Sequence, residues 1–118
     1  MTNDKLSQLV YLKTEKKIVA GELSRIRQRA AAATLPVIRD GLRDIEGILS
    51  ARLAAITQEM NELESFIHGI EDCYIQRLFI ERYAQGKSWV FIAIELGYPS
   101  EDSLKKACQR FLNKISKE

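Results

Sequence analysis

Histidine and cysteine, the two side chains most often used in metal sites and nucleophilic catalysis, are scarce in this chain. His68 is the only histidine, which excludes a metal cluster built from several histidines. Cys73 and Cys108 lie far apart and lack the paired spacing of a zinc site. We expect a surface or partly packed role for His68 and core packing for both cysteines.

Long apolar runs, strand patterns and glycine-rich loops are also missing. No apolar run approaches the roughly 18 residues that a membrane-spanning helix needs. Residues 1–5 lack the apolar segment of a secretion signal. No glycine-rich phosphate loop follows a strand, because no strand pattern exists. We therefore expect a cytoplasmic protein with reduced thiols, without membrane association, cofactor or enzymatic activity.

The charges nearly balance overall but are segregated along the chain. The net charge is +2, which excludes a histone-like polycation. Residues 1–39 carry a net charge of +5, residues 40–70 of −4 and residues 103–118 of +4. Opposite charges on the first two segments favour their packing side by side, within one chain or between chains.

Apolar residues in the first seventy positions recur at helical spacing. They predict one helix from Leu6 to about Ala33 and another from Asp40 to Ile70, separated near Pro36, which has no backbone N–H to donate. The expected inward positions are Leu9, Leu12, Val19, Leu23, Ile26 and Ala30, then Leu42, Ile45, Leu49, Ile56, Leu63, Phe66 and Ile70.

The apolar stripe of these helices is wider than one partner helix covers. The residues that widen it are Ile18, Ile48, Leu53, Met60 and Ile67. Residues 1–70 are therefore predicted to oligomerise as a hairpin or coiled coil, with Leu49 and Ile56 in the seam. The basic cluster Arg25, Arg27 and Arg29 could bind nucleic acid, although acidic residues of the second helix are the more economical partner.

Residues 71–118 predict three shorter helices. Apolar residues at helical spacing run through residues 71–85, and Gly86 is suited to end that helix. Ser88 is a good N-cap for a short helix that Gly97 ends, and Ser100 caps the last helix after Pro99. The inward face of the last helix comprises Leu104, Ala107, Cys108, Phe111, Leu112 and Ile115.

This C-terminal pattern resembles the region-four helix-turn-helix of bacterial sigma factors. It is also similar to a group of small phage and prophage proteins that place such a unit behind long helices. The resemblance is carried by Arg82, Tyr83, Gly86, Lys87, Ser88, Trp89, Ile92, Ala93, Leu96, Gly97, Tyr98, Phe111 and Leu112. One departure is the stretch Tyr98-Pro99-Ser100, which makes the connection to Leu104 about one residue longer than sigma factors usually have.

The helical spacing throughout predicts an all-α protein, in which residues 1–70 oligomerise. The resemblance implies that residues 71–118 bind double-stranded DNA, in phage transcription control within a bacterial host. RNA polymerase is a further candidate partner. The residues expected at the DNA surface are Ser100, Asp102, Ser103, Lys105, Lys106, Gln109, Arg110 and Asn113. Three alternatives remain: a DNA-packaging role like that of small terminase subunits, a protein-binding adaptor, and a helical unit with no DNA activity.

Overall fold

The computed structural model describes residues 1–116 and confirms the all-α prediction, since no strand occurs among them. Lys117 and Glu118, both counted in the C-terminal charge, lie outside the described residues. A π-helical turn at Ile80–Ala84 follows the third helix. The five helices are α1 (Asn3–Ala32), α2 (Pro36–His68), α3 (Cys73–Phe79), α4 (Trp89–Leu96) and α5 (Glu101–Ser116).

The chain divides into two compact units. The hairpin unit comprises Leu12–Asn61, and the terminal unit combines Met1–Tyr11 with Glu62–Glu118. The first turns of α1 thus belong with the short C-terminal helices rather than with the rest of the long pair. The boundary predicted at residue 70 separates an oligomerising region from a DNA-binding region and follows a change of sequence pattern. It stays a prediction about function.

In the hairpin unit, α1 and α2 pack together and their opposite charges meet. Arg27 Nε lies 3.1 Å from Glu46 Oε1, and Arg52 Nη2 lies 2.7 Å from Glu15 Oε1. One member of the basic cluster thus faces an acidic residue of α2. Helix α2 begins earlier than predicted, at Pro36, because the first turn of a helix does not need the missing N–H.

The carboxylate of Glu46 is shared by two arginines. Arg43 Nη1 donates to Glu46 Oε2 at 2.7 Å, while Arg27 donates to Oε1. These hydrogen bonds, that of Arg43 first, hold the pKa of Glu46 below its usual range. Arg27 and Arg43 are half exposed, so this cluster orients the helices more than it stabilises them.

Burial within the single chain corrects part of the expected seam. Leu49 and Ile56 are buried, so they contribute to the core of one chain and not to an open seam between chains. Of the residues expected to widen the stripe, Met60 and Ile67 are buried, whereas Ile18 and Ile48 remain exposed. The prediction that Ile45 faces inward is wrong, because it lies at the edge of the stripe, where 44% of it stays exposed.

The core of the terminal unit is built on aromatic side chains. Phe79 is fully buried and makes edge-to-face contacts with Tyr83 and Phe111, at ring-centroid distances of 5.2 and 5.5 Å. The Tyr83 hydroxyl donates to Asn3 Oδ1 at 2.5 Å, which ties the first turn of α1 to this core. Burial raises the pKa of Tyr83, so its hydroxyl stays protonated and remains a donor.

The two cysteines differ, against expectation. Cys108 is buried in the core as predicted, but Cys73 is exposed. Cys73 is the first residue of α3 and directly follows the N-cap Asp72, whose carboxylate accepts from the backbone N–H groups of Tyr74 and Ile75. The helix begins at the surface, so its first side chain has no core to enter.

We expect one reactive thiol per folded chain. Burial raises the pKa of Cys108 to about 12, so at pH 8 its thiol is protonated and unreactive. Cys73 is exposed and should react. A colorimetric thiol titration at pH 8 should count one thiol in buffer and two in denaturant. Two fast thiols in buffer would show that the core around Cys108 opens freely.

Two glycines end helical segments in the left-handed conformation. Gly86 has φ +72° and Gly97, after α4, has φ +77°. A Cβ at Gly97 would meet open space, whereas one at Gly86 would lie 3.3 Å from Val10 Cγ2. The two glycines therefore have similar backbone conformations, but only Gly97 has open space for an added Cβ.

Alanine at each glycine should therefore destabilise the protein by different amounts. Gly97→Ala should cost about 1 kcal/mol, the conformational penalty alone. Gly86→Ala should cost more, because Val10 must also move. Urea denaturation followed by circular dichroism measures both. Equal losses would contradict the close approach of Val10 to Gly86.

Candidate nucleic-acid interface

Helix α5 is amphipathic, and its sequence explains its position. Leu104, Cys108 and Leu112 are buried at i, i+4 and i+8, so one side of the helix packs into the terminal unit. Ser100 Oγ accepts from the backbone N–H of Ser103 at 3.2 Å and caps the helix as predicted. The opposite side is left to solvent.

Seven of the eight expected DNA-facing residues lie on this helix, and the eighth, Ser100, is exposed and directly precedes it. Those on the helix with exposed side chains are Asp102, Lys105, Lys106, Gln109, Arg110 and Asn113. Ser103 is half-buried, and its hydroxyl lies 3.1 Å from that of Ser100. These two serines therefore contribute mainly to the helix N-terminus, and the six exposed residues define what we call the α5 face.

The positive charges of the α5 face differ in how they are paired. Lys105 Nζ lies 4.0 Å from Glu101 Oε2, a contact between two half-exposed side chains that contributes little stability. Lys106 and Arg110 form no ion pair with a carboxylate among residues 1–116. Gln109 Nε2 donates to Asn113 Oδ1 at 2.8 Å. An anionic ligand at the α5 face would thus meet the positive charges of Lys106 and Arg110 beside the hydrogen-bonded side chains of Gln109 and Asn113.

The first turn of α1 borders the α5 face. A cavity of about 310 Å³ lies between residues 1–4 and the side of α5 that carries Gln109 and Asn113. A smaller one of about 190 Å³ is lined by Asn3, Tyr83 and Lys105, among others. Asn3 and Asp4 were missed as neighbours of this surface, because the Asn3–Tyr83 contact spans 80 positions and leaves no local sequence signal.

Aromatic and polar contacts hold helix α4 against α3 and the π-helical turn. The Tyr74 hydroxyl donates to the carbonyl oxygen of Leu96 at 2.7 Å, and the Tyr74 and Tyr98 rings lie 5.8 Å apart. At the other end of α4, the Arg82 guanidinium lies over the Trp89 ring, 4.6 Å from its centroid. These contacts hold both ends of α4, so the turn at residues 97–100 is set by rigid neighbours.

A buried carboxylate supports the same region. Glu81, in the π-helical turn, is only 4% exposed, and its Oε1 lies 3.6 Å from Arg77 Nε and 3.7 Å from Lys87 Nζ. Lys87 Nζ also lies 3.6 Å from Glu95 Oε2. Glu81 Oε2 has no hydrogen-bond partner among the described residues. This network links the π-helical turn to α4 through Lys87.

The outer side of α4 is apolar and exposed. Val90, Phe91 and Ile94 are each more than half exposed, and the Lys87 ammonium lies 5.3 Å from the centroid of the Phe91 ring. Ile92 and Ala93 of the same helix are buried. The exposed trio is a second surface of the terminal unit.

The described part of the chain offers few other sites. Within residues 1–116, no group of three or more histidine, cysteine, aspartate or glutamate side chains is arranged to hold a metal ion. None of the helices described combines the length and apolar character required to cross a bilayer. Comparisons with protein-family models, curated proteins and solved structures give no match to this chain.

Proposed function

We propose that this protein binds double-stranded DNA with sequence preference and regulates transcription of a phage or prophage. In this proposal α4 and α5 act as a helix-turn-helix, with α5 entering the major groove. The long helices mediate self-association. The observation that carries the proposal is the α5 face, a solvent-exposed helix surface on which Lys106 and Arg110, beside Gln109, form no ion pair within residues 1–116.

The chemistry of the α5 face suits a nucleic acid. Lysine and arginine neutralise phosphates and release condensed counterions, while glutamine and arginine can form bidentate hydrogen bonds with base edges. Lys106 is suited to phosphate contact, and Gln109 and Arg110 to base edges. Asp102 complements the dipole at the start of α5 and could accept from a cytosine amino group.

The alternative is a protein-binding adaptor, for which RNA polymerase is a candidate partner. The exposed apolar trio Val90, Phe91 and Ile94 favours it, since such side chains more often meet another protein than a phosphate backbone. In this alternative the α5 face is solvated surface only.

An electrophoretic mobility shift distinguishes the two functions. The protein should retard a duplex from its own genomic neighbourhood at moderate salt. Arg110→Ala or Gln109→Ala should weaken binding to the preferred site by about 1–3 kcal/mol and relax preference among sites, if either residue contacts a base. Val90→Ser/Ile94→Ser should leave the shift unchanged. Absence of a shift by the parent protein would favour the adaptor.

A further inference from the structure

The outer side of α2 carries an apolar strip that the rest of the hairpin unit leaves uncovered within the described residues. Val37 is 84% exposed and Ile48 68% exposed. The strip follows helical spacing, so its members lie on one side of the helix. The members of this outer strip are Val37, Gly41, Ile45, Ile48, Ala51 and Ala55.

Two charged residues of opposite sign lie beside Ile48 within the outer strip. Asp44 precedes Ile48 by four positions and Arg52 follows it by four, about one helical turn towards either end of α2. Asp44 forms no ion pair among residues 1–116. Arg52 donates to Glu15 Oε1 at 2.7 Å, and its side chain is 57% exposed, so its positive charge stays at the surface.

We infer that a second copy of this chain covers the outer strip, with the two α2 helices antiparallel about a two-fold axis at Ile48. In that arrangement Asp44 lies level with the partner's Arg52, and the symmetry repeats the pair. A parallel arrangement would instead place Asp44 against the partner's Asp44. Charge therefore selects the antiparallel orientation, while the apolar strip supplies the buried area.

The side-chain sizes fit the same axis. Positions three residues from Ile48 pair bulky Ile45 with the small Ala51 of the partner subunit, and positions seven residues away pair Gly41 with the partner's Ala55. A Cβ built at Gly41 meets nothing within 4 Å, so the surface there is open. Small residues at facing positions let two helix axes approach closely.

This inference rests on the proposed self-association of the long helices and does not require DNA binding. It also moves the contact between copies away from Leu49 and Ile56, which are buried in the single chain. The interface lies wholly within residues 37–55 of the hairpin unit. The arrangement therefore predicts, for each of these positions, which position of the partner's α2 faces it.

Disulfide formation between single cysteines tests the inference. In a Cys73→Ser background, Ile48→Cys should link to its own copy under mild oxidation. Gly41→Cys alone should not, because the two copies of that position are separated by about 21 Å along antiparallel helices. Mixed with Ala55→Cys, however, it should form a heterodimer. Ser50→Cys, exposed on the opposite side of α2, is the matched control.

Charge reversal tests the orientation without oxidation. Asp44→Arg and Arg52→Asp should each dissociate the dimer in sedimentation velocity, and an equimolar mixture should restore it, because each interface then holds two Arg–Asp pairs. Circular dichroism confirms that each variant stays folded.

Three results would overturn the inference: self-linking of Gly41→Cys as fast as Ile48→Cys, linking of Ser50→Cys at the same rate, or no recovery on mixing. If the wild-type protein were a monomer, both this inference and the proposed self-association would be wrong. Retained DNA binding by such a monomer would leave the proposed DNA function intact.

Discussion

Replacing Lys105, Lys106 and Arg110 together with alanine should weaken DNA binding about a hundredfold near 0.15 M salt. Each phosphate contact contributes a slope of about 0.9 to the dependence of log K on log salt, so loss of two lysine contacts should flatten that slope by roughly 2 units. Loss of the base contact of Arg110 should add about 1–3 kcal/mol to the loss of affinity. Lys106→Ala alone should remove about one unit. Fluorescence anisotropy on a selected duplex at several salt concentrations measures both quantities.

The matched control removes the same number of positive charges from α1. Lys17, Arg25 and Arg29 are exposed basic residues of α1. Their triple alanine variant should bind DNA within about twofold of the parent, because these residues belong to the hairpin unit and not to the α5 face. If this variant lost as much affinity as the α5 variant, the basic cluster of α1 would be the nucleic-acid surface instead.

Replacing Phe79 with alanine should destabilise the terminal unit more than any other single change considered. Phe79 is fully buried against Tyr83 and Phe111, and truncation of a buried phenylalanine costs about 3–5 kcal/mol. That is a large share of the roughly 5–15 kcal/mol that typically stabilises a domain. Thermal unfolding followed by circular dichroism should show a melting temperature lower by roughly 10–20 °C.

Phe91→Ala is the control of identical chemistry. Phe91 is 52% exposed, and its contact with the Lys87 ammonium contributes at most about 1 kcal/mol. The melting temperature should therefore fall by only a few degrees. Similar losses for the two variants would contradict the placement of Phe79 at the centre of the core.

Features that depend on neighbouring residues were predictable from the sequence. Ser88 and Ser100 cap helices through backbone groups three positions away, and Gly97 adopts the left-handed conformation that ends α4. The inward side of α5 follows from helical spacing alone, so Leu104 and Leu112 were assigned correctly. The positions of the expected DNA-facing residues follow from the same spacing.

Features that depend on distant parts of the chain were not predictable. The hydrogen bond from Tyr83 to Asn3 brings the first turn of α1 beside α5, and nothing near either residue signals it. Periodicity placed Ile48 and Met60 in one widened stripe, yet Met60 is buried and Ile48 is exposed. Which side of a wide stripe is covered depends on the packing of the other helix. The π-helical turn at Ile80–Ala84 likewise interrupts an unbroken helical pattern.

The central claim, that α5 contacts DNA, is tested most directly by NMR chemical-shift mapping of the labelled chain on addition of a selected duplex. The largest perturbations should fall at Asp102, Lys106, Gln109 and Arg110, with smaller ones at the adjoining first turn of α1. Perturbations confined to Val90, Phe91 and Ile94 or to residues 25–29, or none at low salt, would contradict it.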